Sequence, residues 1–188
     1  MENSIIHETY IIVNPTAGEG QAQKRWQDFE SQLKQTQIPY QAVITEYQNH
    51  ATSIVADAIS SGYNRIGVFS GDGTLNEVLQ GMFIENHIKS EDLKLIFFPA
   101  GSSCDFEKKF KHHRDSLQRI QADDAIPIDI FKVECCDFSG QPISQYIINN
   151  SSIGIISLAN KKFNSVKGIT KKIKQMSVGA GAVICGLQ

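Results

Sequence analysis

Residues 70–74, Ser-Gly-Asp-Gly-Thr, have the composition of a phosphate-binding turn with one central carboxylate. Arg65–Phe69, directly before them, is a β-branched and aromatic run typical of a buried strand. The apolar positions that follow have helical spacing: Leu75, Val78, Leu79, Met82 and Phe83. A helix N-terminus is electropositive and has unpaired amides, so a glycine-containing strand-to-helix turn suits a phosphate. Asp72 could hold Mg²⁺ or act as a base beside a nucleotide.

The same segment has a purely structural alternative. Thr74 and Glu77 have the spacing of a capping box, in which each side chain bonds the backbone amide of the other residue. The turn would then be a tight connection without a ligand. Asp72 favours the functional interpretation, because a carboxylate has no evident structural duty between two turn glycines.

Composition predicts an ordinary globular protein. The 188 residues are 41% apolar and 20% charged, enough for one domain and part of another, and the net charge of −2 favours neither nucleic acid nor a membrane. The four cysteines show no Cys-x-x-Cys pair, which is typical of reduced thiols. We expect no leader and no transmembrane segment, and therefore a cytoplasmic protein with at most peripheral membrane contact.

The first part of the chain alternates strands with helices, which predicts an α/β fold: a parallel sheet with helices on both faces. The expected strands are Thr9–Val13, Tyr40–Thr45, Arg65–Phe69 and Lys94–Phe98. Helices are expected from Ala22 to Leu33, from His50 to before Gly62, and after the 70–74 turn. Ligands of such sheets bind at the carboxyl ends of the strands, so loops 14–20, 45–50, 70–74 and 99–105 should share one rim.

Residues 70–81, Ser-Gly-Asp-Gly-Thr-Leu-Asn-Glu-Val-Leu-Gln-Gly, resemble the glycine-rich motif of the diacylglycerol kinase catalytic-domain family. This family includes sphingosine kinases, ceramide kinases and bacterial lipid kinases, and it shares its nucleotide domain with NAD kinases. Asn14–Gly18 is similar to the family's Asn-Pro-x-x-Gly loop, and Pro99–Phe106 to its Pro-x-Gly-Thr-x-Asn-Asp-Phe segment. This chain has Ser70 for a glycine, Gln80 for an asparagine, Ser102 for a threonine and Cys104 for an asparagine.

The resemblance implies ATP and Mg²⁺ as cofactors and transfer of the γ-phosphoryl group to a lipid alcohol, such as a diacylglycerol or a sphingoid base, at a membrane surface. It implies that Asp72 is the catalytic and metal-binding residue. Nucleotide contacts are expected from Asn14, Pro15, Thr16, Ala17, Gly18, Thr45, Ser70, Gly71, Gly73, Thr74, Asn76, Glu77 and Ser102. We interpret His50 as a helix-start residue. The Cys104 thiol is a poor substitute for an amide and weakens this loop if the asparagine orients it.

We expect a nucleotide-binding domain at residues 1–122 and the beginning of a β-rich second domain at 123–188. Ile128–Cys136 and Gln145–Asn149 read as an antiparallel hairpin, similar to the start of the family's β-sandwich domain. Two strands and a helix do not close a sandwich, and their open edges favour self-association. We therefore expect either a fragment of a longer protein or a nucleotide-binding remnant that works in a complex. Residues 160–176 hold six lysines and read as a solvated segment.

Two further interpretations stay open. An NAD kinase would share the Gly-Asp-Gly-Thr and Asn-Glu elements, although the 14–18 and 99–106 segments favour lipid kinases. A non-catalytic nucleotide- or lipid-binding module is suggested by Ser70, Cys104 and the short second domain. The basic segment 108–114 is interpreted as a solvated helix end in preference to a phosphate or anionic-lipid contact.

Overall fold

The computed structural model describes residues 8–84, 87–88, 92–110, 114–137 and 139–149, all in one compact unit that ends at Asn149. In chain order its elements are β1 Thr9–Val13, α1 Gln21–Leu33, β2 Tyr40–Ile44, α2 His50–Ser60, β3 Arg65–Ser70, α3 Asp72–Gly81, β4 Phe83–Ile84, β5 His87–Ile88, β6 Lys94–Pro99, α4 Ser116–Gln121, β7 Phe131–Cys136 and β8 Pro142–Ile147. A short 3₁₀ turn at Glu107–Lys109 precedes α4.

The predicted parallel sheet is confirmed. Its strands lie in the order β2-β1-β3-β6, and every neighbouring pair among these described strands is parallel. All six positions of β3 are buried, as expected for a central strand covered on both faces. The strand carboxyl ends therefore meet at one edge of the sheet.

Helices cover both faces of this sheet, which confirms the predicted layers. On one face α2 and α3 bury Val55, Leu75 and Val78 against β1 and β3. On the other face α1 and α4 enclose an aromatic cluster in which Trp26 meets Phe69 edge-on at 5.4 Å and Phe29 lies 5.2 Å from Phe98. Two packed layers make the sheet a rigid support for the loops at its edge.

The antiparallel hairpin is also confirmed, with changed bounds. β7 pairs with β8, and β8 begins at Pro142, three residues before the predicted start at Gln145. Proline is tolerated at the first position of a strand, so its presence did not end the pairing. The boundary at residues 122/123 and the β-sandwich start remain predictions, and the lysine-rich segment 160–176 lies outside the described residues.

Three local features differ from the sequence predictions. Helix α3 ends at Gly81, so Phe83 lies on the two-residue strand β4 rather than on the helix. The β4–β5 ladder was not predicted, because two-residue strands leave no periodic pattern. Helix α4 was also missed, although Asp115 and Gln118 form a capping box at its start. Among the described residues, no helix is both long enough and apolar enough to cross a bilayer.

Candidate nucleotide site at the sheet edge

The loops at the carboxyl edge of the sheet continue its hydrogen bonding beyond the strands. The Asn14 amide donates to Phe69 O at 3.1 Å, and the Thr45 amide donates to Val13 O at 2.8 Å. The Ala100 amide donates to Ser70 O at 2.8 Å. The four loops expected on one rim are therefore neighbours, in the order of their strands.

The turn between β3 and α3 is shorter than predicted. Ser70 is the last residue of β3 and Asp72 the first of α3, so Gly71 alone connects them. Thr74 lies in the first helical turn, and α3 has no side-chain cap among the described residues, so the proposed capping box is wrong. A Cβ built on Gly73 meets nothing within 4 Å in the described structure, so the backbone beside it faces open space. The start of α3 is thus an uncapped, electropositive end with room for a ligand.

Asn14 joins the first loop to α3. Its Nδ2 donates to Thr74 Oγ1 at 2.8 Å, across 60 residues of sequence. Its Oδ1 accepts from the Thr16 amide at 3.0 Å and from Thr16 Oγ1 at 2.8 Å. Three residues chosen from the sequence as nucleotide contacts therefore form one hydrogen-bond network.

Glycines allow the loops to touch through their backbones. A Cβ on Gly101 would lie 2.5 Å from Gly71 Cα, and a Cβ on Gly18 would lie 2.6 Å from Ala100 O. Gly18 also has φ +57, in the left-handed region that favours glycine. These glycines are needed for contact between loops, which the sequence alone does not distinguish from contact with a ligand.

Asp72 has a structural duty that sequence reasoning missed. Its Oδ2 accepts the Asp105 amide at 2.9 Å, and its Oδ1 accepts the Phe106 amide at 3.0 Å. Carboxylate oxygens each carry a second lone pair, so both atoms keep acceptor capacity for a ligand. The carboxylate holds loop 99–106 against the start of α3.

Cys104 occupies a strained, buried position in that loop. Its φ is +47, a conformation that asparagine tolerates far better than cysteine. Its Sγ lies 3.5 Å from Gly101 O, a weak thiol hydrogen bond. Burial raises the pKa of the Cys104 thiol, so the thiol stays protonated and acts as a small packed side chain.

The remaining predicted contacts differ in their exposure. Ser70 is completely buried, and its hydroxyl donates to Gly71 O at 2.9 Å. Ser102 is exposed on loop 99–106, and Thr45 is half-buried just beyond β2. Asn76 and Glu77 are half-buried along α3, where Asn76 Oδ1 accepts from Gln80 at 3.3 Å. Pro15 and Ala17 are half-buried in the first loop, and Ala17 packs on the aromatic core.

The loop after β2 carries an aromatic pair. His50 begins α2, as predicted, and its Nδ1 accepts the Glu46 amide at 3.1 Å. Its ring stacks on Tyr47 with centroids 4.2 Å apart and an angle of 8° between the planes. Tyr47 is 64% exposed, so the rest of its surface is open at the rim. Sequence reasoning did not select Tyr47, although it lies two residues after Thr45.

The described basic side chains near residue 108 are paired. Lys108 pairs with Asp105, Lys109 Nζ donates to Asn149 O at 2.9 Å, and Arg114 forms a bidentate pair with Asp124. The guanidinium lowers the pKa of the Asp124 carboxyl to about 2. The predicted helix end is a 3₁₀ turn, and residues 111–113 lie outside the described part of the chain.

Within the described ranges, no group of three or more His, Cys, Asp or Glu side chains could hold a metal ion. Mg²⁺ in nucleotide sites takes one or two carboxylates together with phosphate and water oxygens. The single carboxylate of Asp72, at the start of α3, fits that donor set.

Comparisons with known proteins identify the family of this chain. The family model described as the diacylglycerol kinase catalytic domain matches residues 8–133. "Putative lipid kinase YtlR" of Bacillus subtilis is 30% identical over 160 residues, which cover 81% of this chain and 50% of that protein. Sphingosine kinase 1 of Rattus norvegicus is 31% identical over 94 residues, which cover 49% of this chain and 24% of that protein. A solved diacylglycerol kinase from Bacillus anthracis str. Sterne has a TM-score of 0.45 at 25% identity, over 56% of this chain and 37% of that one.

The aligned part of this chain thus spans half or less of these relatives. The family match begins at the residue before β1 and includes all four rim loops. It covers more than half of the chain. The chain belongs to the diacylglycerol kinase catalytic domain family.

Proposed function

We propose that this chain is the nucleotide-binding part of an ATP-dependent lipid kinase, which transfers the γ-phosphoryl group to a lipid hydroxyl. The observation that carries the proposal is the Asn14–Thr74 hydrogen bond of 2.8 Å, which joins the β1 loop to the uncapped start of α3. The Asp72 carboxylate holds loop 99–106 against the same helix start. Phosphoryl transfer depends mainly on positioning and charge neutralisation, and two loops held at one helix N-terminus suit both.

The phosphates would lie on the amides at the start of α3. Gly73 leaves open space beside them, and the helix dipole favours anionic oxygens there. Ser102 would add a hydroxyl donor from loop 99–106, while the Thr16 hydroxyl already donates to Asn14 Oδ1. Ser70 would contribute through its backbone, since its hydroxyl is buried and already bonded to Gly71 O.

Asp72 would hold Mg²⁺ through the lone pairs that its two amide bonds leave available. Bound Mg²⁺ supplies charge neutralisation at the phosphates. The backbone amides of Asp105 and Phe106 keep the carboxylate oriented before any ligand arrives. Pre-orientation of this kind lowers the cost of binding.

The purine base of the nucleotide would lie towards the end of β2. Strands are about 4.8 Å apart, so the end of β2 is about 10 Å from that of β3 in the order β2-β1-β3. A nucleotide extended along the rim would reach Thr45 and the exposed ring of Tyr47. Stacking on this ring, which His50 supports from behind, would suit a purine.

A second candidate, a nucleotide-binding module without turnover, is favoured by Cys104. The thiol offers loop 99–106 only a weak hydrogen bond, in a backbone conformation unfavourable for cysteine. Such a module would bind MgATP with no acceptor turned over.

The test is transfer of ³²P from [γ-³²P]ATP with Mg²⁺ into organic-extractable lipid, using separate diacylglycerol and sphingoid-base micelles. MgATP binding is measured in parallel by calorimetry. Label in a lipid, lost in Asp72→Asn, supports the kinase. Binding without label supports the module, and label in NAD, offered as the acceptor in a parallel reaction, would contradict both.

A further inference from the structure

The side chain of Gln80 bonds the backbone of Tyr146 as a neighbouring β-strand would. Gln80 Nε2 donates to Tyr146 O at 2.8 Å, and the Tyr146 amide donates to Gln80 Oε1 at 3.0 Å. Two opposed N–H···O bonds to one residue are the pattern of a hydrogen-bonded pair in an antiparallel ladder. The carboxamide thus extends the pairing of β8 onto helix α3.

The orientation of this carboxamide is determined by its neighbours. Gln80 Nε2 also lies 3.1 Å from Asn76 O and 3.3 Å from Asn76 Oδ1, both acceptors. A flipped amide would place an oxygen against these oxygens and against Tyr146 O. The donor therefore faces Tyr146 O, and the acceptor faces the Tyr146 amide.

The β7–β8 hairpin depends on such attachments for its position. All six residues of β7 are exposed, and an isolated two-stranded hairpin is marginally stable in water. Besides the Gln80 bonds, the hairpin is attached by the stack of Tyr146 on Phe83, with centroids 3.8 Å apart, and by the Lys109–Asn149 bond. Ile130 and Ile148, which flank the two strands, pack against the core. Of these, only the Gln80 pair bonds the β8 backbone in two directions.

Helix α3 connects this pair to the nucleotide turn. Asp72 begins the helix and Gln80 lies close to its end, about 12 Å away at 1.5 Å per residue. The helix buries Leu75, Val78 and Leu79 against the sheet and α2, so it is a rigid spacer between Asp72 and Gln80. If the hairpin shifts relative to Gln80, the distance between the hairpin and the proposed phosphate position at the start of α3 therefore changes.

We propose that Gln80 is a positioning residue that fixes the β7–β8 hairpin to helix α3, so that the hairpin stays at a set distance from the proposed phosphate-binding turn. The structural half of this inference is independent of the reaction. The kinetic half rests on the proposed kinase function with the hairpin beside the acceptor, because a misplacement of 1 Å can cost about a hundredfold in rate.

The first test is hydrogen exchange of the Tyr146 amide, measured by NMR in the full chain for wild type, Gln80→Glu and Gln80→Leu. Glutamate keeps an acceptor for this amide but no donor for Tyr146 O, and leucine keeps neither. We expect protection to fall severalfold in Gln80→Glu and about tenfold or more in Gln80→Leu. Gln27→Leu, an exposed glutamine-to-leucine change on α1, is the control and should leave Tyr146 protection unchanged.

The second test separates positioning from general stability. In Gln80→Leu the MgATP dissociation constant should stay within twofold of wild type, while kcat/KM for dioleoylglycerol in mixed micelles falls tenfold to a hundredfold. Tyr146 protection equal to wild type in Gln80→Leu would overturn the inference. A tenfold loss of MgATP affinity would also overturn it, since α3 itself would then be perturbed. If the wild type transfers no phosphate, the kinase proposal fails, while hydrogen exchange still decides the role of Gln80.

Discussion

Asp72 Oδ1 accepts the backbone amide of Phe106 at 3.0 Å, while its Oδ2 accepts that of Asp105 at 2.9 Å. One carboxylate thus closes loop 99–106 onto the first turn of α3. The residue that sequence reasoning selected for chemistry also holds the site together. Its substitution must therefore affect both structure and ligand binding.

Asp72→Asn should abolish phosphoryl transfer and also lower the free energy of unfolding by about 1–3 kcal/mol, because an amide nitrogen would face a backbone N–H. Transfer is followed with radiolabelled ATP and stability by urea denaturation. Full transfer activity in this variant would exclude the proposed role at Mg²⁺. Unchanged stability would show that the two amides find other acceptors.

Gly73→Ala and Gly101→Ala should have opposite effects on stability. A Cβ on Gly73 meets nothing within 4 Å, and alanine in a helix is favoured over glycine, so stability should rise by about 0.5–1 kcal/mol. MgATP affinity should nevertheless fall, because the methyl group would occupy the space proposed for a phosphate.

Gly101→Ala is the matched comparison. Its Cβ would lie 2.5 Å from Gly71 Cα, so the loops must separate and the protein should be destabilised. Thermal unfolding and calorimetric titration with MgATP measure both variants. MgATP binding by Gly73→Ala at wild-type affinity would place the phosphates elsewhere on the rim.

Cys104→Asn should stabilise the protein by about 0.5–1 kcal/mol, because asparagine tolerates a φ of +47 and its amide can donate to Gly101 O. Cys104→Ala, which tolerates this conformation no better than cysteine and has no donor, is the control. Both are compared by urea denaturation. A less stable Cys104→Asn would mean that the pocket around Sγ lacks room for the larger group.

The Arg114–Asp124 pair predicts a contribution to stability that depends on pH. The pKa of Asp124 is lowered from 3.8 to about 2 in the folded chain, first by its side-chain hydrogen bonds to Arg114. Since the folded state binds this proton less readily, the contribution is complete above about pH 4 and is lost as the pH falls towards 2. NMR titration of the Asp124 side-chain carboxyl carbon should show the low value in wild type and a return towards 3.8 in Arg114→Gln. Equal values in both proteins would contradict the pair.

Residues near in sequence were enough to predict most of the described elements. The run Arg65–Phe69 and the helical spacing of Leu75, Val78 and Leu79 specified β3 and α3, because period and side-chain type act within a few residues. Alternating strands and helices then implied parallel pairing and a shared rim. The exact turn was not predicted, since helix propensity allows Asp72 and Gly73 to enter the first turn as readily as to precede it.

Tertiary structure decided which residues meet. The Asn14–Thr74 bond spans 60 residues, the Asp72–Phe106 bond 34 and the Gln80–Tyr146 pair 66. Such contacts depend on where the sheet places separate loops, so no local pattern marks them. The sequence by itself determined most of the α/β elements and pointed to a candidate phosphate-binding turn with its candidate residues. Only the packed structure showed that Asp72 also holds loop 99–106 and that Gly71 and Gly101 approach each other too closely for Gly101 to carry a side chain. Both effects depend on distances between chain segments that are brought together only by folding.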